Sequence, residues 1–335
     1  MSYPIFIAEV SANHLGNLDR AKEIVYSVAK SGATAIKFQT YTADTMTLDI
    51  ESFRISKGHD LWGDRKLYDL YQEAHTPWEW HLELFELARS LNLIPFSSPF
   101  DLSAVECLEK LQTPMYKIAS METGDLELIK TVAETGKPII MSTGASTIEE
   151  IDDAVETVMK TGNKKLTLLL CTSSYPATPA DSHLKRIDFL RTRYNLDVGL
   201  SDHTLGLGVS VAAIALGAVA IEKHFTLKRS DGGADGSFSM EPQEFTELVA
   251  EGRRAYDSLG ICDWQIQESE MESRRLRRSL YIVKDVKKGE LATEENLRAI
   301  RPGYGISPKY YRELLGKRFS DDYVIGTPMK LEYVV

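Results

Sequence analysis

The stretch DVGLSDHTLGLGVSVAAIALGAVAIEKHFT (197–226) decides how the chain is read. Two short apolar runs, 197–202 and 220–226, flank a helical pattern near 206–216, and each finishes at a histidine, His203 or His224. Near-continuous apolar runs of this length suit strands covered on both faces, as in a parallel sheet. The same strand-then-helix unit recurs upstream. Its strand candidates are IFIAEV (5–10), AIKFQT (35–40), IPFSSP (94–99), MYKIAS (115–120), PIIMST (138–143) and LTLLLCTS (166–173). Eight such units in roughly 260 residues predict a (β/α)8 barrel, the TIM barrel. A doubly wound open sheet is the rival. It has fewer strands and an early glycine-rich phosphate turn, and no G-x-G-x-x-G follows the first run here.

The intervening segments read as helices. In LDRAKEIVYSVAKSG, Ala21, Ile24, Val25 and Val28 form one stripe, and Gly32 is placed to stop the helix. Ser103 with Glu106, and Thr147 with Glu150, fit capping boxes. Further helical patterns lie near 79–91, 126–135, 183–194 and 243–259. One connection is long: residues 41–76 separate the second strand from its helix, and loops of that length carry function or are disordered. The aromatics of HDLWGDRKLYDLY (59–71) argue for order, so this segment is expected over the barrel mouth. The repeat stops near 260. ESEMESRRLRRSL (268–280) reads as a charged helical linker, followed by a small β-rich domain. The expected division is 1–262 barrel, 263–278 linker and 279–335 C-terminal domain.

Composition narrows the function classes. Of 335 residues, 43% are hydrophobic and 26% charged, an ordinary globular balance. A net charge of −10 argues against nucleic acid or an anionic membrane as main partner. Cys107, Cys171 and Cys262 have no metal-finger spacing and read as reduced thiols of a cytoplasmic protein. The N-terminus lacks signal-peptide character, and no run approaches the ~18 apolar residues that span a bilayer.

Barrel chemistry sits at the C-terminal ends of the strands. Those positions carry Glu9, Lys37, Gln39, Ser97, Ser98, Lys117, Ser120, Glu122, Ser142 and Thr143. They continue with Ser173, Tyr175, Ser201, Asp202, His203, Glu222 and His224. Taken singly, Thr143 or Gln39 reads better as a core polar group; the whole set reads as a site. Inward lysines at 37 and 117 are costly unless an anion pairs with them. With Ser98, Ser120, Ser142 and Ser201 they make a place for a phosphate and a carboxylate. His203 and His224, on adjacent strands, suit a divalent metal with open positions. Unrelated core histidines are an equal reading of that pair. Strand alternation puts Glu222 on the side of His224 and turns Lys223 outward toward the helices.

These motifs are also familiar as a set. IAEVSANHLGN, AIKFQTYT, FSSPFD, YKIASMETGD, IIMSTGAST, CTSSYPA, GLSDHTLG, IEKHFTL and RPGYGISPK resemble the sialic acid synthase family over nearly the whole chain. The C-terminal part resembles that family's antifreeze-like (SAF) domain. The family joins phosphoenolpyruvate to an N-acetylated aldose to make nonulosonic acids. LWGDRKLYDLYQEAHTPWEWH and CTSSYPA look most like the pseudaminic acid synthase branch, whose sugar is 2,4-diacetamido-2,4,6-trideoxy-L-altrose. N-acetylneuraminate synthases usually carry asparagine where Ser173 stands and often threonine where Ser98 stands.

The resemblance implies roles. His203 and His224 would hold Mn²⁺ or Mg²⁺. Lys37, Ser98, Lys117, Ser120, Ser142 and Ser201 would hold phosphoenolpyruvate. Glu9, Gln39, Glu122, Tyr175 and Asp235 would line the sugar and reaction centre, with Ser173 beside them. Arg301 would reach the N-acyl group of a sugar in the partner subunit's barrel, which implies a domain-swapped homodimer. Three rivals stand. One is an N-acetylneuraminate or legionaminate synthase of the same family. Another is a metal-dependent barrel hydrolase, for which EVSANH supplies only His14. The third is a non-enzymatic carbohydrate- or ice-binding protein.

Overall fold

The computed structural model describes residues 3–57 and 61–335, so His59 and Asp60 of the long connection lie outside the described residues. Eight parallel strands close into a barrel in sequence order. They are β1 (Ile5–Glu9), β2 (Ala35–Thr40), β3 (Ile94–Pro99), β4 (Tyr116–Ile118), β5 (Ile139–Ser142), β6 (Leu166–Cys171), β7 (Asp197–Ser201) and β8 (Ala220–His224). β1 pairs with β8 to complete the ring, Glu9 lying opposite His224. This is the TIM barrel expected from the sequence. Helices between the strands bury Val25, Leu84, Ile129, Val158 and Leu248 against the outward faces of the strands, which is why the strand runs are apolar on both sides.

Local signals explain most helix ends. Thr147 and Glu150 form the expected capping box at the start of Ile148–Lys160. Gly32 follows Leu18–Lys30 with φ +78°, a backbone that favours glycine. The Ser103–Glu106 box is not the cap of Leu102–Lys110. Asp101 caps it instead, its carboxylate accepting from Ser103 N and Ala104 N, and a charged acceptor outcompetes a hydroxyl. The described residues of the connection, 41–57 and 61–76, include two helices, Ala43–Met46 and Leu67–Ala74.

Residues Met1–Gly260 form one compact unit and Ile261–Val335 a second. In the second, the charged stretch is helical only over Glu268–Glu270 and Met271–Arg275. An antiparallel pair, β9 (Ser279–Ile282) and β10 (Leu297–Ile300), covers a core of Leu280, Ile282, Leu297, Phe319 and Met329. Isolated bridges supply the rest of its β character. No helix among the described residues is long and apolar enough to cross a membrane.

Candidate active site

Side-chain alternation builds the site. Ile7, Ala35, Phe96, Ile140, Leu169 and Ala220 form an apolar plug inside the barrel. Two residues further along the same strands come Glu9, Lys37, Ser98, Ser142, Cys171 and Glu222. Met115, packed on the plug, is followed in the same way by Lys117. A polar layer therefore rests on an apolar floor. β7 brings Gly199 and then Ser201. A Cβ at Gly199 would meet Ala220 O at 2.4 Å and Leu169 Cδ2 at 2.7 Å, so the close approach there requires glycine.

Glu222 is the hub of that layer. Its Oε1 accepts from Lys37 Nζ at 3.0 Å and from Ser201 Oγ at 3.2 Å, and lies 3.8 Å from Lys117 Nζ. Lys37 also pairs with Glu9 Oε2 at 2.9 Å, and Gln39 Nε2 donates to Glu9 Oε1 at 3.1 Å. Lys117 Nζ donates to Ser142 Oγ at 2.6 Å. Burial brings Lys37 down to about 8, opposed by Glu222. Burial alone would raise Glu222, yet Lys117 and Lys37 together hold it below the usual carboxylate range. Glu122 lacks such a close pair: burial raises it to about 7, with Lys117 pulling the other way. Glu122 Oε2, Glu222 Oε2 and His224 Nδ1 are buried without hydrogen-bond partners. Orphaned polar atoms at one mouth are costly to the protein alone and suit a bound polar ligand.

His203 and His224 stand with ring centroids 5.3 Å apart. His203 Nδ1 lies 2.9 Å from Thr172 O, and a carbonyl only accepts, so Nδ1 carries the proton and Nε2 of the neutral ring keeps its lone pair. Burial, then His203, keep His224 well below the ordinary histidine range, hence neutral. Asp235 Oδ2 lies 4.0 Å from His224 Nδ1, but its carboxylate is engaged by Ser11 Oγ and Ala12 N. Among the described residues no group of three or more His, Cys, Asp or Glu is arranged to hold a metal. Burial alone would lower His203, yet Cys171 raises it above the ordinary histidine value. The donors available to a metal are the His203 and His224 imidazoles in their neutral forms.

Two connected cavities occupy the mouth. The inner one, about 240 Å³, is lined by Lys37, Gln39, Lys117, Ser120, Glu122, Ser142, Tyr175, Ser201, His203 and His224, all candidates from the sequence. Asp235 lines the outer one, about 400 Å³, beneath segment 41–76. Other candidates lie elsewhere. Glu9 sits below the inner cavity, bonded to Lys37. Ser98 is fully buried, lines neither cavity, and its Oγ has no partner. Ser173 packs against Gly144, where a Cβ would come within 2.3 Å of its Oγ and 2.8 Å of Ser120 Oγ. Arg301 follows β10 in the second unit and is exposed.

Some readings of the mouth change. Ser97 turns outward to Thr40 Oγ1 at 2.7 Å, and Asp202 turns outward to Lys223, because adjacent residues of a strand point to opposite faces and Ser98 and Ser201 take the inner one. Lys223 faces outward as expected, toward Ser210 of the helix Gly208–Ala215 through Asp202. Gln39, bland when read alone, lines both cavities, while Thr143 donates to Leu169 O. His14 is no ligand: it is buried, with Nδ1 accepting from Gly16 N and Nε2 bonded to Thr76 Oγ1. Ser11, Tyr41, Tyr71, Met121 and Cys171 also line the cavities without having been singled out. For Ser11 and Tyr41 a signal existed, since each stands just beyond a strand run.

A closed parallel barrel with a cationic polar layer, unpaired carboxylate oxygens and a histidine pair at its C-terminal mouth has the architecture of a TIM-barrel enzyme. The chain belongs to the NeuB family, whose profile matches residues 24–263; the SAF domain profile matches residues 277–332. It is 44% identical over 326 residues to pseudaminic acid synthase of Campylobacter jejuni, covering 97% of this chain and 94% of that one. It is 37% identical over 326 residues to N,N'-diacetyllegionaminic acid synthase of the same organism, covering 96% and 98%. The crystal structure of N-acetylneuraminic acid (sialic acid) synthetase from Leptospira borgpetersenii, with citrate, superposes with a TM-score of 0.73 at 31% identity, covering 81% and 90%.

Proposed function

We propose that the chain is a pseudaminic acid synthase. It condenses phosphoenolpyruvate with 2,4-diacetamido-2,4,6-trideoxy-L-altrose and water, giving pseudaminic acid and phosphate. The observation that carries this reading is the 44% identity to a pseudaminic acid synthase across almost the full length of both chains, against 37% to a legionaminic acid synthase. The polar layer supports the chemistry, with two buried lysines beside Ser142 and Ser201 for a substrate that carries both a phosphate and a carboxylate.

In this reading Lys37 and Lys117, with Ser120, Ser142 and Ser201, hold the phosphate and carboxylate of phosphoenolpyruvate, and Ser98, buried and lining neither cavity, supports that layer from behind. Gln39, Tyr175 and Asp235 position the open-chain sugar, Ser173 supports them from its place against Gly144, and Arg301 of a domain-swapped homodimer completes that site. The lone pairs of His203 Nε2 and His224 Nδ1 fit a divalent ion, Mn²⁺ or Mg²⁺, which when bound supplies Lewis acidity toward the aldehyde oxygen. C3 of phosphoenolpyruvate attacks the aldehyde carbon; the alkene π pair becomes the new C–C bond and the aldehyde oxygen takes up a proton. Positive charge develops at C2, where Glu122, which lines the inner cavity, stabilises it or steers water, while Glu9 acts from below through Lys37 and Gln39. Water adds to C2 and loses one proton, giving a C2 hydroxyl beside the phosphate ester. That hydroxyl then gives up its proton as its oxygen forms the C2=O bond, the bond from C2 to the phosphate oxygen breaks, and phosphate leaves with that electron pair while Lys117 and Lys37 hold its charge. The two protons released match those taken up by the aldehyde oxygen and the phosphate. The enzyme works in the cytoplasm on soluble small molecules.

Phosphate release with phosphoenolpyruvate and each of three sugars tests the proposal. The altrose should be the best substrate, with activity lost on chelation and restored by Mn²⁺ or Mg²⁺. Fastest release with N-acetylmannosamine or the legionaminate precursor would overturn it.

A further inference from the structure

Above the polar layer the site opens into its outer chamber, continuous with the inner one through Tyr41, Tyr71, Met121 and Tyr175. The far wall includes, from the described residues of segment 41–76, Ile55, Trp62, Leu67, Leu70 and Ala74, with the Tyr71 phenol beside them. That wall is tied across the mouth. Trp62 Nε1 donates to Ala234 O at 2.8 Å, the Trp62 ring lies 5.8 Å from Tyr175, and Tyr71 meets Tyr41 edge-on at 5.9 Å. The acid of the chamber, Asp235, already accepts from Ser11 Oγ and Ala12 N. Ile55, Leu67 and Leu70 offer no side-chain hydrogen-bonding group. The reacting groups gather in the inner chamber, so an open-chain sugar with its aldehyde there projects its far end toward this wall.

We infer that the outer chamber is a specificity site for the non-reacting end of the sugar, selecting a 6-deoxy terminus over a hydroxymethyl; the inference rests on the synthase reading above. A terminal methyl gains by leaving water for Ile55 and Leu67. A terminal hydroxyl turned against Ile55, Leu67 and Leu70 loses its water partners and finds none on those side chains. Apolar pockets reject an added hydroxyl only modestly, by about 100-fold, so the preference in kcat/KM is on the order of 10- to 100-fold.

The test compares wild type, Ile55→Ser, Leu67→Ser and Leu67→Met on two sugars: 2,4-diacetamido-2,4,6-trideoxy-L-altrose and its 6-hydroxy counterpart. Wild type and Leu67→Met should prefer the 6-deoxy sugar by that factor. At least one serine variant should narrow the ratio to a few-fold through KM for the sugar, with KM for phosphoenolpyruvate unchanged. Equal wild-type use of the two sugars, or equal proportional loss on both in the two serine variants, overturns the inference and leaves the synthase reading standing. Turnover of neither sugar overturns both.

Discussion

Lys223 Nζ lies 3.0 Å from Asp202 Oδ2 on the outer face of β7 and β8, and each of these residues directly precedes one of the paired histidines. The pair is enclosed. Ser210 Oγ donates to Asp202 Oδ2 at 2.6 Å, Thr204 donates to Asp202 Oδ1, and Lys223 Nζ also reaches Thr204 O at 2.6 Å. It cross-ties the two strand ends and so fixes the spacing of the imidazoles on the inner face.

Breaking that tie should be expensive. Lys223→Ala leaves a buried carboxylate uncompensated, at a cost of ~3–5 kcal/mol. The double change Asp202→Leu with Lys223→Met should recover only part of the loss, because it leaves no unpaired charge but strips Ser210 Oγ and Thr204 N of their acceptor. Urea unfolding of the three proteins measures this. A single variant within ~1 kcal/mol of wild type would show that the pair carries little.

His203→Ala and His224→Ala should each abolish metal-dependent turnover. Calorimetric titration with Mn²⁺ should show lost metal binding, while phosphoenolpyruvate should still bind if the lysine layer holds it as proposed. Near-normal activity in either variant would remove that histidine from the ligand set.

Glu122 gives a pH signature. Its folded pKa, raised by burial to about 7, stands above its ordinary value of 4.5. Folding therefore favours the protonated form. The penalty is absent below about 4.5, grows as pH rises through the interval, and is complete above about 7. It amounts to at most ~3 kcal/mol. Glu122→Gln should raise the melting temperature at pH 8 and leave it nearly unchanged at pH 4.5. An equal shift at both pH values would mean the carboxyl is not titrating in that window.

The eight strands were legible because runs such as AIKFQT are apolar on both faces and leave few alternatives. Lys37 and Lys117 were legible too, as charges inside apolar runs. Facing was harder. Ser97 and Ser98 are adjacent and alike, as are Ser201 and Asp202, and only the barrel register says that the second and the third of these four point inward. The hub role of Glu222 was hidden for another reason: it joins side chains from β2, β4, β7 and β8, a convergence across the barrel that no local spacing encodes. The wall of segment 41–76 was invisible in residue terms because Trp62 and Tyr71 gain meaning only from Ala234, Tyr175 and Tyr41.

Arg301→Ala should raise KM for the sugar by tenfold or more and leave KM for phosphoenolpyruvate near wild type. Steady-state kinetics with each substrate varied in turn decides it, with sedimentation showing a dimer. Equal loss for both substrates would give Arg301 a general structural role, and a fully active monomer would contradict the domain swap.

The central claim is the pairing of phosphoenolpyruvate with one particular sugar. The most direct test offers the enzyme phosphoenolpyruvate and an equimolar mixture of 2,4-diacetamido-2,4,6-trideoxy-L-altrose, the legionaminate precursor and N-acetylmannosamine, and identifies the products by mass spectrometry and NMR. Pseudaminic acid should dominate, with phosphate formed one for one. A mixture dominated by legionaminic or N-acetylneuraminic acid, or sugar consumed without a nonulosonic acid, would contradict the account.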